Sequence, residues 1–357
     1  MPDFLLYTIV TQWDEPPRAR HQIANELKKL GAVYFVEKNK KGSARIEINK
    51  VEENVVVITP FFPIDYRIRY RTPIINEIYH QWLLRQIKRL DISFDVVITV
   101  DYTAPAIHQY FDRVIFYCAD DNVGFGNFNP WLINYYHTRT EKKVAAGATI
   151  CVVTSDYMQS KISKYNNRCY NIPLGAPEVT INEVRMNDKK ETLPTLGLVG
   201  YLDSNLDESL LYSLLAQFKI VFIGPASDET KAKMAKFTNA TMLGPQTGNQ
   251  LIESLQNVDV CIAPYDLKKI NKGATPNKLW LYLSVGRPSV ITKIPNIQSW
   301  KFENDMVYIC NNDEFAGYCK IAYDRDNIML ANERIRTAKE SSWHNRVNQI
   351  LKLFYNS

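Results

Sequence analysis

The residues best placed for chemistry in this chain are Thr275, Pro276, Asn277 and Lys278. Thr275 is a helix-capping residue type, Pro276 fits a first helical position that needs no N–H, and Gly286 with Pro288 supplies a stop. A short helix is therefore expected from Pro276 to the stop at Gly286, with Lys278 in its first turn. A helix that starts where a strand ends points unpaired N–H groups and positive dipole at the loop crevice, which suits an anion. Lys278 would add a full charge there. The plainer alternative, a solvated lysine on a capped helix, stays open, and Lys272 just upstream is read that way. Asp120 and Asp121 follow an apolar run, Arg113 to Cys118, and either can orient a hydroxyl or act as a general base, or simply cap a turn. Gly200 closes the run Leu196 to Val199, where it would admit a ligand close to the backbone or serve only a tight turn.

Those residues need a scaffold, and the composition bounds it. At 357 residues and 46% hydrophobic content the chain is long enough for two domains, each with its own core. Lys plus Arg at 43 against Asp plus Glu at 38 gives only +5, too mild and dispersed to indicate a nucleic-acid partner. No run of 18 apolar residues occurs, and Met1 to Tyr7 lacks a signal peptide's basic start and cleavage site, so a cytoplasmic location is expected. The six cysteines are scattered without a C-x-x-C and read as reduced core residues. The five histidines show no ligand spacing, and no metal site or other cofactor is expected.

Strand and helix patterns alternate almost throughout. Phe4 to Val10, a helix over Arg18 to Leu30 with Ile23, Leu27 and Leu30 inward, and Ala32 to Val36 form a βαβ opening. Arg45 to Asn49 and Asn54 to Thr59 read as a hairpin after the charged loop Lys38 to Gly42. Thr72 and Pro73 start a long helix, expected to turn Ile74, Ile75, Ile78, Trp82 and Ile87 inward. Asp95 to Val100, Arg113 to Cys118 and Thr149 to Val153 are strands, and Ser155 caps the helix after the last. Residues 176 to 194 are polar and unpatterned and read as a linker. The rhythm restarts with strands at Leu196 to Gly200, Lys219 to Pro225, Val258 to Pro264, Ser289 to Thr292 and Met306 to Cys310, and Thr247 to Gln250 has the form of a capping box.

Tandem βα domains with an anion site in the second suggest an enzyme that handles a phosphate-bearing ligand. The stretch Thr275 to Val290, TPNKLWLYLSVGRPSV, closely resembles the S-P-N-K-L-F-E-Y-L-A-A-G-K-P-V-V pattern of group 1 nucleotide-sugar-dependent glycosyltransferases with the GT-B fold. Gly197 to Leu202, Phe222 to Pro225 and Leu243 to Pro245 resemble that family's I-G-Y-F-G, L-I-G-P and F-L-G signatures in order. Phe116 to Asp121 and Val152 to Ser155 resemble its V-Y-D-x-x-D-D and V-V-T-S.

The resemblance implies an α/β architecture of two Rossmann-like domains facing across a cleft, with a C-terminal helix crossing back to the first. Residues 1–175 would be the acceptor domain, 176–194 the linker, 195–338 the nucleotide-sugar domain and 339–357 the returning helix, on the apolar face Val347, Ile350, Leu351 and Phe354 after Trp343. It further implies metal-independent sugar transfer from a nucleotide diphosphate sugar to a glycan or lipid-linked acceptor in cell-surface polysaccharide assembly. Gly200, Tyr201, Gly224, Pro225, Thr275, Pro276, Asn277 and Lys278 would bind the donor's diphosphate and nucleotide, and Asp120, Asp121 and Lys278 would be catalytic. Leu281 and Gly273 stand where many members carry two glutamates, one of them on the donor ribose, so the ribose must be held otherwise. An epimerase of the same fold and a non-catalytic nucleotide-sugar-binding subunit are the alternatives. Asp324-Arg325-Asp326 lies in a helical region and is not read as a metal site. Basic residues at Lys38 to Lys41 and Arg67 to Arg71, interleaved with Tyr66 and Tyr70, form either a solvated face or a peripheral contact with anionic lipid at the inner membrane face.

Overall fold

A computed structural model describes the chain except residues 9, 126–130, 180, 182–183, 185, 187–192, 204, 271–272, 274, 300–301 and 303–304. Lys272 and much of the expected linker therefore lie outside the described residues. Two compact units result: residues 1–174 with 343–357, and residues 175–342. Residues 339–342, assigned by sequence to the last helix, instead finish the second unit.

The first unit is built from β1 (Asp3–Tyr7), α1 (Ala19–Leu27), β2 (Ala32–Val36), β3 (Lys40–Lys41), β4 (Arg45–Glu52), β5 (Val55–Phe62), α2 (Tyr66–Tyr70), α3 (Pro73–Lys88) and β6 (Val96–Thr99). It continues through β7 (Val114–Cys118), α4 (Asn122–Phe125), α5 (Trp131–Gly147), β8 (Ile150–Val153), α6 (Asp156–Ile162) and β9 (Cys169–Asn171). Its nine-stranded sheet runs β3-β5-β2-β1-β6-β7-β8-β9, parallel apart from β4, which forms the expected hairpin on β5. Side chains alternate across the sheet. Phe4, Leu6, Ile98 and Tyr117 face α1 and the C-terminal helix, whereas Leu5, Tyr7 and Val97 face α3, and Phe116 and Val153 face α5.

The second unit comprises β10 (Thr195–Val199), α7 (Glu208–Leu215), β11 (Lys219–Ile223), α8 (Asp228–Met234), β12 (Ala240–Gly244), α9 (Gly248–Gln256), β13 (Val260–Ala263), α10 (Lys278–Ser284), β14 (Ser289–Thr292), β15 (Val307–Cys310), α11 (Phe315–Arg325) and α12 (Ile328–Glu340). Its six strands are all parallel, in the order β12-β11-β10-β13-β14-β15. The final helix, α13 (Trp343–Tyr355), buries Trp343, Val347, Ile350, Leu351 and Phe354 in the first unit's core. All six cysteines are buried and unbridged.

Several local expectations fail for identifiable reasons. Helix α1 ends at Leu27, so Leu30 leaves the apolar face and is 41% exposed. Thr247 precedes α9 but makes no capping hydrogen bond. Helix α3 turns Asn76, Tyr79, His80 and Leu83 inward and leaves Ile74 and Ile78 outside, 74% and 56% exposed. A buried polar network sets that phase. The Arg69 guanidinium, fully buried over the Tyr79 ring, donates to Asn76, and Asn76 donates to the Tyr136 hydroxyl of α5 at 3.0 Å. Tyr7 lies 2.9 Å from His80 Nδ1, His80 Nε2 lies 3.2 Å from the Thr103 hydroxyl, and Thr103 donates to Asp101 at 2.7 Å. Taking two polar residues inside is tolerable only because each finds partners.

Candidate functional site

In each sheet the strand order reverses between two neighbours whose connections run to opposite sides. Such switch points, at the carboxyl ends of the strands, are where open α/β sheets bind ligands. In the second unit the point lies between β10 and β13. Gly200 leaves β10 with φ +126°, and a Cβ built there would sit 3.5 Å from Lys278 Nζ. Gly224 leaves β11 with φ +153°, and a Cβ there would meet the Gly200 carbonyl oxygen at 2.0 Å. Both places require glycine, because any side chain would fill the space in front of the lysine or strike the backbone. The loops are tied by the Leu202 N–H, which donates to the Pro225 carbonyl at 3.1 Å, with Tyr201 exposed beside it.

Helix α10 holds Lys278 in place. Its Tyr282 hydroxyl, fully buried, accepts from the Val199 N–H at 3.0 Å and donates to the Ile262 carbonyl at 3.1 Å, pinning the helix across β10 and β13. At its C-terminus, Arg287 N–H reaches the Tyr282 carbonyl and Gly286 N–H the Leu283 carbonyl, with Gly286 at φ +76°, a Schellman stop. The buried Arg334 of α12 donates to the Gly286 carbonyl at 3.0 Å and to Asp326 at 2.6 Å. Asp326 is thus spent on packing, and among the described residues no group of three or more His, Cys, Asp or Glu could hold a metal ion.

The helix start differs from expectation. Asn277 rather than Thr275 is the N-cap residue, already helical at φ −56°, and its side chain caps nothing. Pro276 has a fixed φ, and the Leu279 and Trp280 N–H groups donate back to the Pro276 and Asn277 carbonyls, so the first turn closes on those two residues rather than on Thr275. Those donors are not available to a ligand, and a seven-residue helix offers a weak dipole. The positive charge of the site is the Lys278 ammonium. It is half-buried, lies 5.1 Å from the Tyr265 ring centroid, and pairs with no carboxylate among the described residues. Desolvation pulls its pKa down to about 8. Leu281 is partly buried against the apolar cluster of Leu279 and Tyr282, and Gly273 is buried.

The first unit places Asp120 and Asp121 at the carboxyl end of β7, with different roles. Asp121 is buried, and its carboxylate accepts from Lys161 at 2.7 Å, from the Gly124 N–H at 2.9 Å and from the Tyr157 hydroxyl at 3.0 Å. Burial pushes its pKa up, but Lys161 and the two other donors outweigh that and hold it below the ordinary carboxylate value. Lys161 also pairs with the buried Glu141 at 2.7 Å. Asp121 is therefore a capping and ion-paired residue. Asp120 is exposed as a residue, yet partial desolvation of its carboxyl raises the pKa, with Arg20 and Arg18 pulling it back. Asp101, at the end of β6, has one oxygen with no hydrogen-bond partner among the described residues. Arg20, Asp101, Lys161 and Tyr282 escaped the sequence reading, since each acts through partners distant in the chain.

No family model matches the chain. A curated Bacillus subtilis (strain 168) protein named "Putative teichuronic acid biosynthesis glycosyltransferase TuaH" is 21% identical over 228 residues, covering 61% of this chain and 54% of the relative, so the match spans about half of the relative's length. Among solved structures, sucrose-phosphate synthase from Thermosynechococcus elongatus has a TM-score of 0.71 at 11% identity, covering 100% of this chain and 99% of that one. HepE of Anabaena in complex with UDP has a TM-score of 0.68 at 12% identity, covering 100% of each chain. The chain has the GT-B fold of such glycosyltransferases, as its second-unit motifs implied.

Proposed function

We propose that this protein is a glycosyltransferase that binds a nucleotide diphosphate sugar in its second unit and passes the sugar to a glycan or lipid-linked acceptor held by the first, in cell-surface polysaccharide assembly. The observation that carries the reading is the Lys278 ammonium beside Gly200 at the β10/β13 switch point, a cation facing a side-chain-free backbone turn. UDP in HepE, of the same fold, and the role in the B. subtilis relative's name support it.

Breaking the glycosidic bond builds charge on the leaving diphosphate, and a fixed cation that strengthens its contact as the charge grows lowers the barrier. Lys278 takes that role without a metal ion, while Gly200 and Gly224 let the phosphates approach the backbone and Tyr201, Pro225, Thr275, Pro276 and Asn277 border the donor. In the first unit Asp120 orients the acceptor hydroxyl or takes its proton, its raised pKa suiting a base. Asp121 serves the scaffold.

The test is product analysis with labelled nucleotide sugars, with and without glycan and lipid-linked acceptors, in excess chelator. A labelled glycoside is expected. An epimerised donor formed without acceptor, or no turnover with donor bound, would replace the reading with one of the alternatives, and activity abolished by chelator but restored by magnesium would overturn metal independence.

A further inference from the structure

Helices α3 and α5 cover the same face of the first unit's sheet, and α2 leads directly into α3. Both long helices begin at the sheet's carboxyl edge, where the Asn76 to Tyr136 hydrogen bond joins them. Their outer faces share one polarity. The opening turns expose Ile74 and Ile78 on α3, 74% and 56%, and Trp131, Leu132 and Tyr135 on α5, 72%, 56% and 59%. Ile68 of α2 adds to them at 60%. The exposed charges of the three helices are Arg67 of α2 and, further along α3 and α5, Arg85, Lys88, Arg139, Lys142 and Lys143, against a single exposed carboxylate, Glu77, beside Ile78. The one acid of α5, Glu141, is buried on Lys161.

We propose that this face docks on an anionic lipid bilayer, with the Ile74, Ile78, Trp131, Leu132 and Tyr135 tip in the headgroup boundary and the arginines and lysines behind it on lipid phosphates. The inference deepens the reading of a lipid-linked acceptor and rests on it for its biological purpose, though not for its physics. An aliphatic and aromatic tip backed by a basic band is the pattern of a surface that lies on a membrane. Nucleic acid would match the charges but leave the apolar tip in water, and an apolar protein partner would leave the basic band unused. No helix among the described residues is long and apolar enough to cross a membrane. Of the basic stretches Lys38 to Lys41 and Arg67 to Arg71, for which the sequence left a solvated face or a lipid contact open, Arg67 joins this face, whereas Arg69 is fully buried against Tyr79 and Tyr70 packs on His137.

The full chain should co-sediment with phosphatidylcholine vesicles containing phosphatidylglycerol, less with phosphatidylcholine alone, and less at high salt. Lys142→Ala with Lys143→Ala should weaken partitioning about 30-fold, at ~1 kcal/mol per basic side chain. Trp131→Ser with Leu132→Ser should weaken it by about tenfold or more. Both pairs are exposed, so the thermal transition should not move. Vesicles should also shift the tryptophan emission to the blue, and Trp131→Phe should remove that shift while co-sedimentation persists. Failure to sediment with either vesicle, or binding indifferent to both pairs, would overturn the proposal, as would a serine pair that changes only self-association. UDP titration of the same variants separates the two readings: vesicle binding lost with nucleotide binding intact leaves the proposed function standing, and vesicle binding without sugar transfer does the reverse.

Discussion

The carboxyl ends of the two sheets are built alike and charged differently. In the first unit the strand ends are crowded with ionisable groups, most of them engaged with one another: Asp121 and Glu141 on Lys161, Asp101 on Thr103, Arg69 on Asn76. In the second unit β10 and β11 run out into Gly200 and Gly224, and the nearby cation, Lys278, lies by the Tyr265 ring and pairs with no carboxylate among the described residues. A buried network holds its members in one geometry and resists substitution, whereas a half-buried cation next to a bare turn keeps its charge for a ligand. Charge at a strand end is thus a weak sign of function until its partners are known.

The largest effect that would break this comparison comes from the last helix. Ending the chain at Ser342 removes five buried apolar side chains from the first unit's core. At about 1.5 to 3 kcal/mol each, their loss matches the ~5 to 15 kcal/mol stability of a whole domain. Calorimetry should show the first unit's transition lost and the second's retained. An unchanged first transition would show that the helix is dispensable.

Lys161→Ala comes next, since it strands Asp121 and Glu141 as buried carboxylates, 5% and 1% exposed. Unfolding in urea should register about 3 to 5 kcal/mol of destabilisation. For Asp121, whose folded pKa lies below its unfolded value, the stabilisation is present above the unfolded pKa and is lost as pH falls through the folded one. The variant's deficit should therefore shrink in acid, and a deficit that does not vary with pH would argue against the ion pair.

The smallest effect is the pH dependence of donor binding. Lys278, at about 8, is cationic below that pH and neutral above it. The donor KM should rise as pH passes from 7 toward 9, by up to about tenfold, the change in the charged fraction for a group of that pKa. Lys278→Arg, which stays charged, should flatten the profile. A parental KM constant over that range would place the phosphates elsewhere.

How much of this was legible in the sequence follows from the range of the interactions. The order of strands and helices was readable because apolar runs and their punctuation are local, and Lys278 was found because a contiguous motif contains it. The phase of α3 was misread because four isoleucines invite an apolar-in assignment, while Asn76 and His80 go inside on partners contributed by α2, β1 and the loop after β6. The start of α10 was misjudged because Pro276 and Asn277 begin the turn without Thr275. Asp121 could not be told from Asp120, since Lys161, which distinguishes them, lies 40 residues on.

The central claim is that the donor's diphosphate sits on Lys278. Isothermal titration of the parent and Lys278→Ala with uridine, adenosine and guanosine diphosphates, followed by transfer kinetics with the matching nucleotide sugar, tests it most directly. The nucleotide that binds the parent should bind the variant more weakly, and kcat/KM should fall by roughly 10- to 1000-fold, about 1.4 to 4 kcal/mol, with an unchanged unfolding midpoint. A variant that binds the same nucleotide with parental affinity and transfers sugar at the parental rate would contradict the placement of the site.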